Sequence, residues 1–137
     1  MAPAIVIVNY NNNIDVIECI EAITYLTGNG DLGVFVVENG SPAAFDGLVK
    51  ALTTWRGPCI KIAASKLAQL ARSDGCHLRC VELATIHGRF PVVVAEAAQN
   101  LGYGGGANSW LKRLSPYSEW DGFWILNLAL LWQNYLH

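Results

Sequence analysis

The chain has 137 residues, room for one domain with a real core. Hydrophobic residues make up 53% and charged residues 15%, which excludes a disordered chain, since disorder needs few apolar groups and much charge. Nine Lys and Arg against eleven Asp and Glu give a net charge of -2, and the basic residues are scattered, so no nucleic-acid partner is expected.

Met1-Ala2-Pro3-Ala4 has no basic leader region, and the apolar run behind it is too short for a secretion signal. No run of about 18 apolar residues, the length a membrane-spanning helix needs, occurs. The expected compartment is the cytoplasm. In that setting Cys19, Cys59, Cys76 and Cys80 are expected as reduced thiols.

Residues 4–9, Ala-Ile-Val-Ile-Val-Asn, form a continuous β-branched run that predicts a strand buried on both faces. An Asn11-Asn12-Asn13 loop follows, with Asn13 as the expected helix cap. Val16, Ile17, Ile20 and Ile23 then recur at helical spacing, opposite Asp15, Glu18 and Glu21. Thr27-Gly28-Asn29-Gly30 ends that helix. Gly33 to Glu38 predicts a second buried strand. Ser41 caps a second helix with Pro42 in its first position, and Phe45, Leu48, Val49 and Leu52 form its apolar face. Strand, helix, strand in this order predicts a parallel pair with a crossover helix.

Residues 55–91 are less regular. Ile60-Lys61-Ile62 fits a short strand, Ser65 to Arg72 a helix, and His77–Leu83 and Val92–Ala95 each fit a strand. Gly102 to Gly106 is glycine-dense. Ala107, Trp110, Leu111 and Leu114 then give a helical face, so a helix is expected to begin inside the glycines and to stop at Ser115-Pro116. Phe123 to Leu126 fits a last strand, and residues 128–137 form an apolar tail. The fold class expected is α/β, a three-layer α/β/α domain with a mostly parallel sheet.

Several features carry chemistry. Ligands in open parallel sheets bind at the carboxyl ends of strands. Asn9-Tyr10 ends the first strand and Glu38-Asn39 the second. A carboxylate there accepts hydrogen bonds from a base or ribose, and Tyr10 can stack on a base. Asn100-Leu101-Gly102-Tyr103-Gly104-Gly105-Gly106-Ala107-Asn108 combines close backbone approach with a helix N-terminus, which suits a diphosphate. Gly102, Gly104 and Ala107 also satisfy the dinucleotide pattern G-x-G-x-x-A, with Asp121 about 20 residues on. Cys76, His77, Cys80 and His87 lack a standard zinc spacing, and scattered residues are the simpler account. Asp74, Glu82, Glu96, Glu119 and Asp121 read as solvated charges, and no residue is singled out as catalytic.

Three segments in order, Ile5 to Asn11, Val36 to Ser41, and Asn100 to Asn108 leading to Trp124-Ile125-Leu126-Asn127, resemble the family 2 glycosyltransferases of the GT-A fold, especially rhamnosyltransferase-like members. The resemblance spans most of residues 4–127 and is weak over 55–91. It implies transfer of a sugar from a nucleoside-diphosphate-sugar donor to a glycan or lipid-linked acceptor. It implies a nucleotide pocket lined by Asn9, Tyr10, Glu38 and Asn39, with Asn100, Gly102, Tyr103, Gly104, Gly105 and Asn108 along the donor. Members of that family often carry Asp where this chain has Glu38.

The family's last strand leads into an acidic motif that holds a divalent metal, Mg²⁺ or Mn²⁺, on the diphosphate. Here Leu128-Ala129-Leu130 follows Asn127, so no metal ligand is expected. The resemblance thus implies a single incomplete domain over 1–137, truncated at its C-terminus and defective in turnover. Its apolar tail is expected to serve self-association or contact with the inner membrane face. Two other classes stay open: a non-catalytic nucleotide-binding or assembly module, and a dinucleotide-dependent oxidoreductase.

Overall fold

A computed structural model describes residues 2–27, 31–63, 75–86, 90–116 and 120–127. The expected helix at 65–72, the turn at 28–30, His87, Asp74, Glu119 and the tail 128–137 lie outside the described residues.

Six strands and three helices are described: β1 (Ala2–Asn9), α1 (Asn13–Thr27), β2 (Gly33–Glu38), α2 (Pro42–Thr53), β3 (Cys59–Lys61), β4 (His77–Thr85), β5 (Pro91–Ala97), α3 (Gly102–Leu114) and β6 (Trp120–Asn127). The strands form one sheet in the order β3-β4-β5-β2-β1-β6. β1 pairs parallel with β2 and β6, and β2 parallel with β5. β4 runs antiparallel to β3 and β5. The chain is therefore α/β with a mixed sheet: three of the described strand pairings are parallel, as in the mostly parallel sheet expected, and the two that β4 makes are antiparallel. The reason is local. Only residues 86–90 join β4 to β5, too few for a crossover, so the two strands must run antiparallel.

Alternation along the strands splits the core in two. Ile5, Ile7, Val34, Val36, Val92 and Val94 face α1 and α2, meeting Val16, Ile20, Phe45, Leu48 and Leu52. Val6, Val8, Phe35, Val37, Val93 and Ala95 face α3, meeting Ala107, Trp110 and Leu114. Helices thus cover both faces, and the apolar runs of β1, β2 and β5 are what burial on both faces requires. Trp110 anchors α3: its ring lies 5.0 Å from Phe35 and 4.8 Å from His77, and its Nε1 donates to the Val36 carbonyl at 3.0 Å.

Caps set the helix starts. Ser41 Oγ accepts from Ala44 N, with Pro42 in the first turn. For α1 the cap is Asn12, one residue before the expected Asn13: Asn12 Oδ1 accepts from Asp15 N at 3.3 Å. Asn11, just before this cap, takes the left-handed conformation, φ 54°, which Asn tolerates. Among the described residues, no helix is long and apolar enough to cross a membrane.

Candidate functional site

Read along the sheet, the parallel strands stand as third, second, first and fourth in chain order (β5, β2, β1, β6), so the order reverses at β1. Ligands of open α/β sheets collect at such a reversal, outside the carboxyl ends. α1, α2 and α3 each follow a parallel strand, so all three begin at this edge. Their N-termini turn partial positive charge toward it.

Asn9, Glu38 and Glu96 lie in one cross-strand row at this edge, Asn9 opposite Glu38 and Glu38 opposite Glu96. Glu38 is 1% exposed. Its Oε1 accepts from Asn9 Nδ2 at 2.7 Å, and its Oε2 accepts from Asn11 N at 3.1 Å and Gly40 N at 2.9 Å. One buried carboxylate thus holds the ends of both loops. A carboxylate cannot donate, so the Asn9 amide must turn its nitrogen to Glu38. That leaves Asn9 Oδ1 buried with no hydrogen-bond partner, and such an orphan calls for an explanation.

Asn39 is also buried. Its Nδ2 donates to Gly102 O at 2.9 Å, and its Oδ1 accepts from Leu101 N at 3.3 Å. It clamps the end of β2 to the start of α3. Asn100 Oδ1 accepts from Gly102 N at 2.9 Å, and no side chain of the cap residue Leu101 serves the helix start. N–H groups of the first turn have no partner inside a helix, so those after Gly102 can meet an anion.

The four glycines have different reasons to be glycine. Gly102 has φ +71°, which a side chain would strain. At Gly106 a Cβ would sit 2.9 Å from Asn39 Nδ2 and 3.0 Å from Val8, because α3 lies close on the sheet. At Gly105 it would meet Leu101 Cβ at 3.1 Å. At Gly104 it would meet nothing within 4 Å, so the protein's own packing gives no reason for that glycine.

Of the other candidates, Tyr10 is 61% exposed just past β1, and Tyr103 is 43% exposed on the first turn of α3. Asn100 and Asn108 are exposed. The structure therefore brings Asn9, Glu38, Asn39, Asn100 and Gly102 into one bonded network, with Gly104 and Tyr103 beside its last member. Asn11, Asn12 and Gly40 belong to this edge and were not singled out in sequence. The Asn run was the available signal, since Asn tolerates the left-handed region and caps helices.

Two charges read as solvated are buried. Glu82 is 5% exposed and Glu96 4%. The Arg79 Nε and Nη2 grip both Glu96 oxygens at 3.0 Å. Arg79 also reaches Asp46 at 2.9 Å and lies over the Phe45 ring. These two carboxylates hold its guanidinium protonated well above the usual range. His77 packs on Trp110, and its Nε2 lies 2.8 Å from Ser109 Oγ. Asp121 falls at the register shift between the Ala2–Trp120 and Pro3–Gly122 pairs, at the amino end of β6. Six residues of strand separate it from the carboxyl edge, about 20 Å. It does not share that edge with Gly102 and Gly104.

A metal on a diphosphate needs carboxylates at the carboxyl edge. Glu38 already accepts three hydrogen bonds, and among the described residues no three His, Cys, Asp or Glu side chains converge. The residues described there do not fit a metal ion. No protein-family model, curated protein or solved structure matches the chain.

Proposed function

We propose that the carboxyl edge around β1 and β2 binds the nucleoside-diphosphate part of a nucleotide sugar, and that the chain is a donor-binding domain of the family 2 glycosyltransferase type. Transfer to a glycan or lipid-linked acceptor is the activity this type implies. The observation that carries the reading is direct bonding between three segments far apart in sequence. Asn9 meets Glu38, and Asn39 meets Leu101 and Gly102. These are the segments on which the resemblance rests. An orphan acceptor at Asn9 and an unconstrained glycine at 104 suit a polar ligand there. The diphosphate would take the N–H groups at the start of α3, and Tyr10 would stack on the base.

The strand order around β1 also suits a dinucleotide, but the fingerprint follows β5, the third parallel strand, and Asp121 lies at the other end of the sheet. Thermal shift with UDP, dTDP, GDP and NAD, each with and without Mn²⁺, tests the proposal. A shift with a nucleoside diphosphate is expected without metal. A shift with NAD alone, or none with any nucleotide, would sink it.

A further inference from the structure

The two edges of the sheet are built differently. β3 is three residues long and carries Lys61, the short charged edge that resists further pairing. β6 is eight residues long, Trp-Asp-Gly-Phe-Trp-Ile-Leu-Asn, with Asp121 its one charge and no Lys or Pro. Among the described residues it pairs only with β1. By register, Phe123 and Ile125 stand with Ala4 and Val6 on the α3 face, and Trp124 and Leu126 stand with Ile5 and Ile7 on the α1 face. Apolar residues on both faces are the pattern of a central strand. Yet Trp124 is 58% exposed and Ile125 39%.

We infer that β6 is the pairing edge of a homodimer, joined antiparallel to β6 of a second copy so that one sheet runs through both. The second copy is the fitting partner because β6 complements itself. A two-fold axis normal to the sheet brings the strand against its own reverse. With the axis at Trp124, each Trp124 meets its counterpart, Phe123 meets the second copy's Ile125, and Gly122 meets the second copy's Leu126. Each pair falls on one face, as cross-strand neighbours must. Gly122 has nothing within 4 Å of where its Cβ would be, which leaves room for the incoming Leu. Asp121 falls opposite position 127, an Asn, so no carboxylates oppose each other.

Light scattering on the full chain after gel filtration tests this, and the expected mass is twice 14.9 kDa. Trp124→Lys sets two ammonium groups face to face at the axis and is expected to weaken the dimer by about tenfold or more. The site is exposed in the single chain, so its circular dichroism should not change. Ile125→Lys attacks the other face and should do the same, which keeps the test alive if the first variant misfolds. Leu131→Lys, in the tail, should remain dimeric. A wild-type mass of 14.9 kDa at high micromolar concentration overturns the inference. So does a dimer that survives both β6 substitutions, or one lost only through Leu131→Lys.

Discussion

Replacing Glu38 tests the network on which the candidate edge is built. Glu38→Ala removes the acceptor of three bonds, at 2.7, 3.1 and 2.9 Å. Asn9 is 1% exposed, so its Nδ2 would be stranded away from water, at a cost of about 1–3 kcal/mol. The N–H groups of Asn11 and Gly40 lie nearer solvent and can turn to water, so each loses about 1 kcal/mol. The sum is about 4 kcal/mol, a fall in Tm of about 15 °C for a domain of this size. Glu38→Gln should cost far less. Its carbonyl still accepts from Asn11 and Gly40, and the Asn9 amide can turn over to accept from the new NH₂ group. What remains is the exchange of a charged acceptor for a neutral one, roughly half as strong, or about 1–2 kcal/mol. Urea unfolding and thermal melts of both variants decide the matter. Equal losses for Ala and Gln, or a loss below about 4 °C for Ala, would refute the bonding described here. The pair is also coupled: Asn9→Ala combined with Glu38→Ala should cost less than the two separately, because neither leaves a partner stranded.

Four further outcomes follow from the same structure. Gly106→Ala should destabilise by about 1–3 kcal/mol, since its Cβ collides with Asn39 and Val8. Gly102→Ala should lose about 1 kcal/mol to its positive φ; denaturant midpoints read both. Arg79→Met should lower Tm by stranding the buried Glu96 carboxylate, and Arg79→Met with Glu96→Gln should recover much of the loss, as a double-mutant cycle would show. Burial pushes the Cys59 thiol up to about 12, and burial with the nearby Asp15 charge pushes Cys19 up to about 11. Both should resist iodoacetamide at pH 8 in the folded chain and react once it is unfolded. The sign for stability follows. These folded values lie above the unfolded ones, so the contribution is complete below about pH 9 and is lost as pH rises from there toward 12.

Much of the fold was legible because its elements are locally consistent. Gly33–Glu38 is bounded as the apolar run suggests, and Phe45, Leu48, Val49 and Leu52 all turn inward from α2. The helix begins at Gly102 within the glycines. The antiparallel pairing of β4 was not legible, since strand direction depends on how far a connection reaches rather than on any residue in the strand. The burial of Glu96 was hidden for a similar reason. Its partner Arg79 is 17 residues away on another strand, and only the register places them together. At the carboxyl edge the residue types were visible, but their division of labour was not. Glu38 and Asn39 look alike in sequence as polar strand-end residues. In the fold one gathers the loops after β1 and β2, and the other ties β2 to α3.

That division of labour shows where a ligand effect would be separable from a folding effect. Asn9, Glu38, Asn39, Gly102 and Gly106 each carry a structural duty, so their substitution disturbs the protein and any binding together. Gly104 carries none. In a helix, Gly is about 1 kcal/mol less favourable than Ala, and at 104 nothing within 4 Å would resist the added methyl group. Gly104→Ala should therefore raise the Tm of the free protein by about 4 °C. If a diphosphate lies against the first turn of α3, the same methyl group occupies its path, and the nucleotide-induced shift should vanish while the fold gains stability. A folding defect cannot produce opposite signs in the two readouts. A variant that is stabilised and still binds UDP at full strength would remove the glycine turn from the site. One that is destabilised would show that position 104 has a structural duty after all.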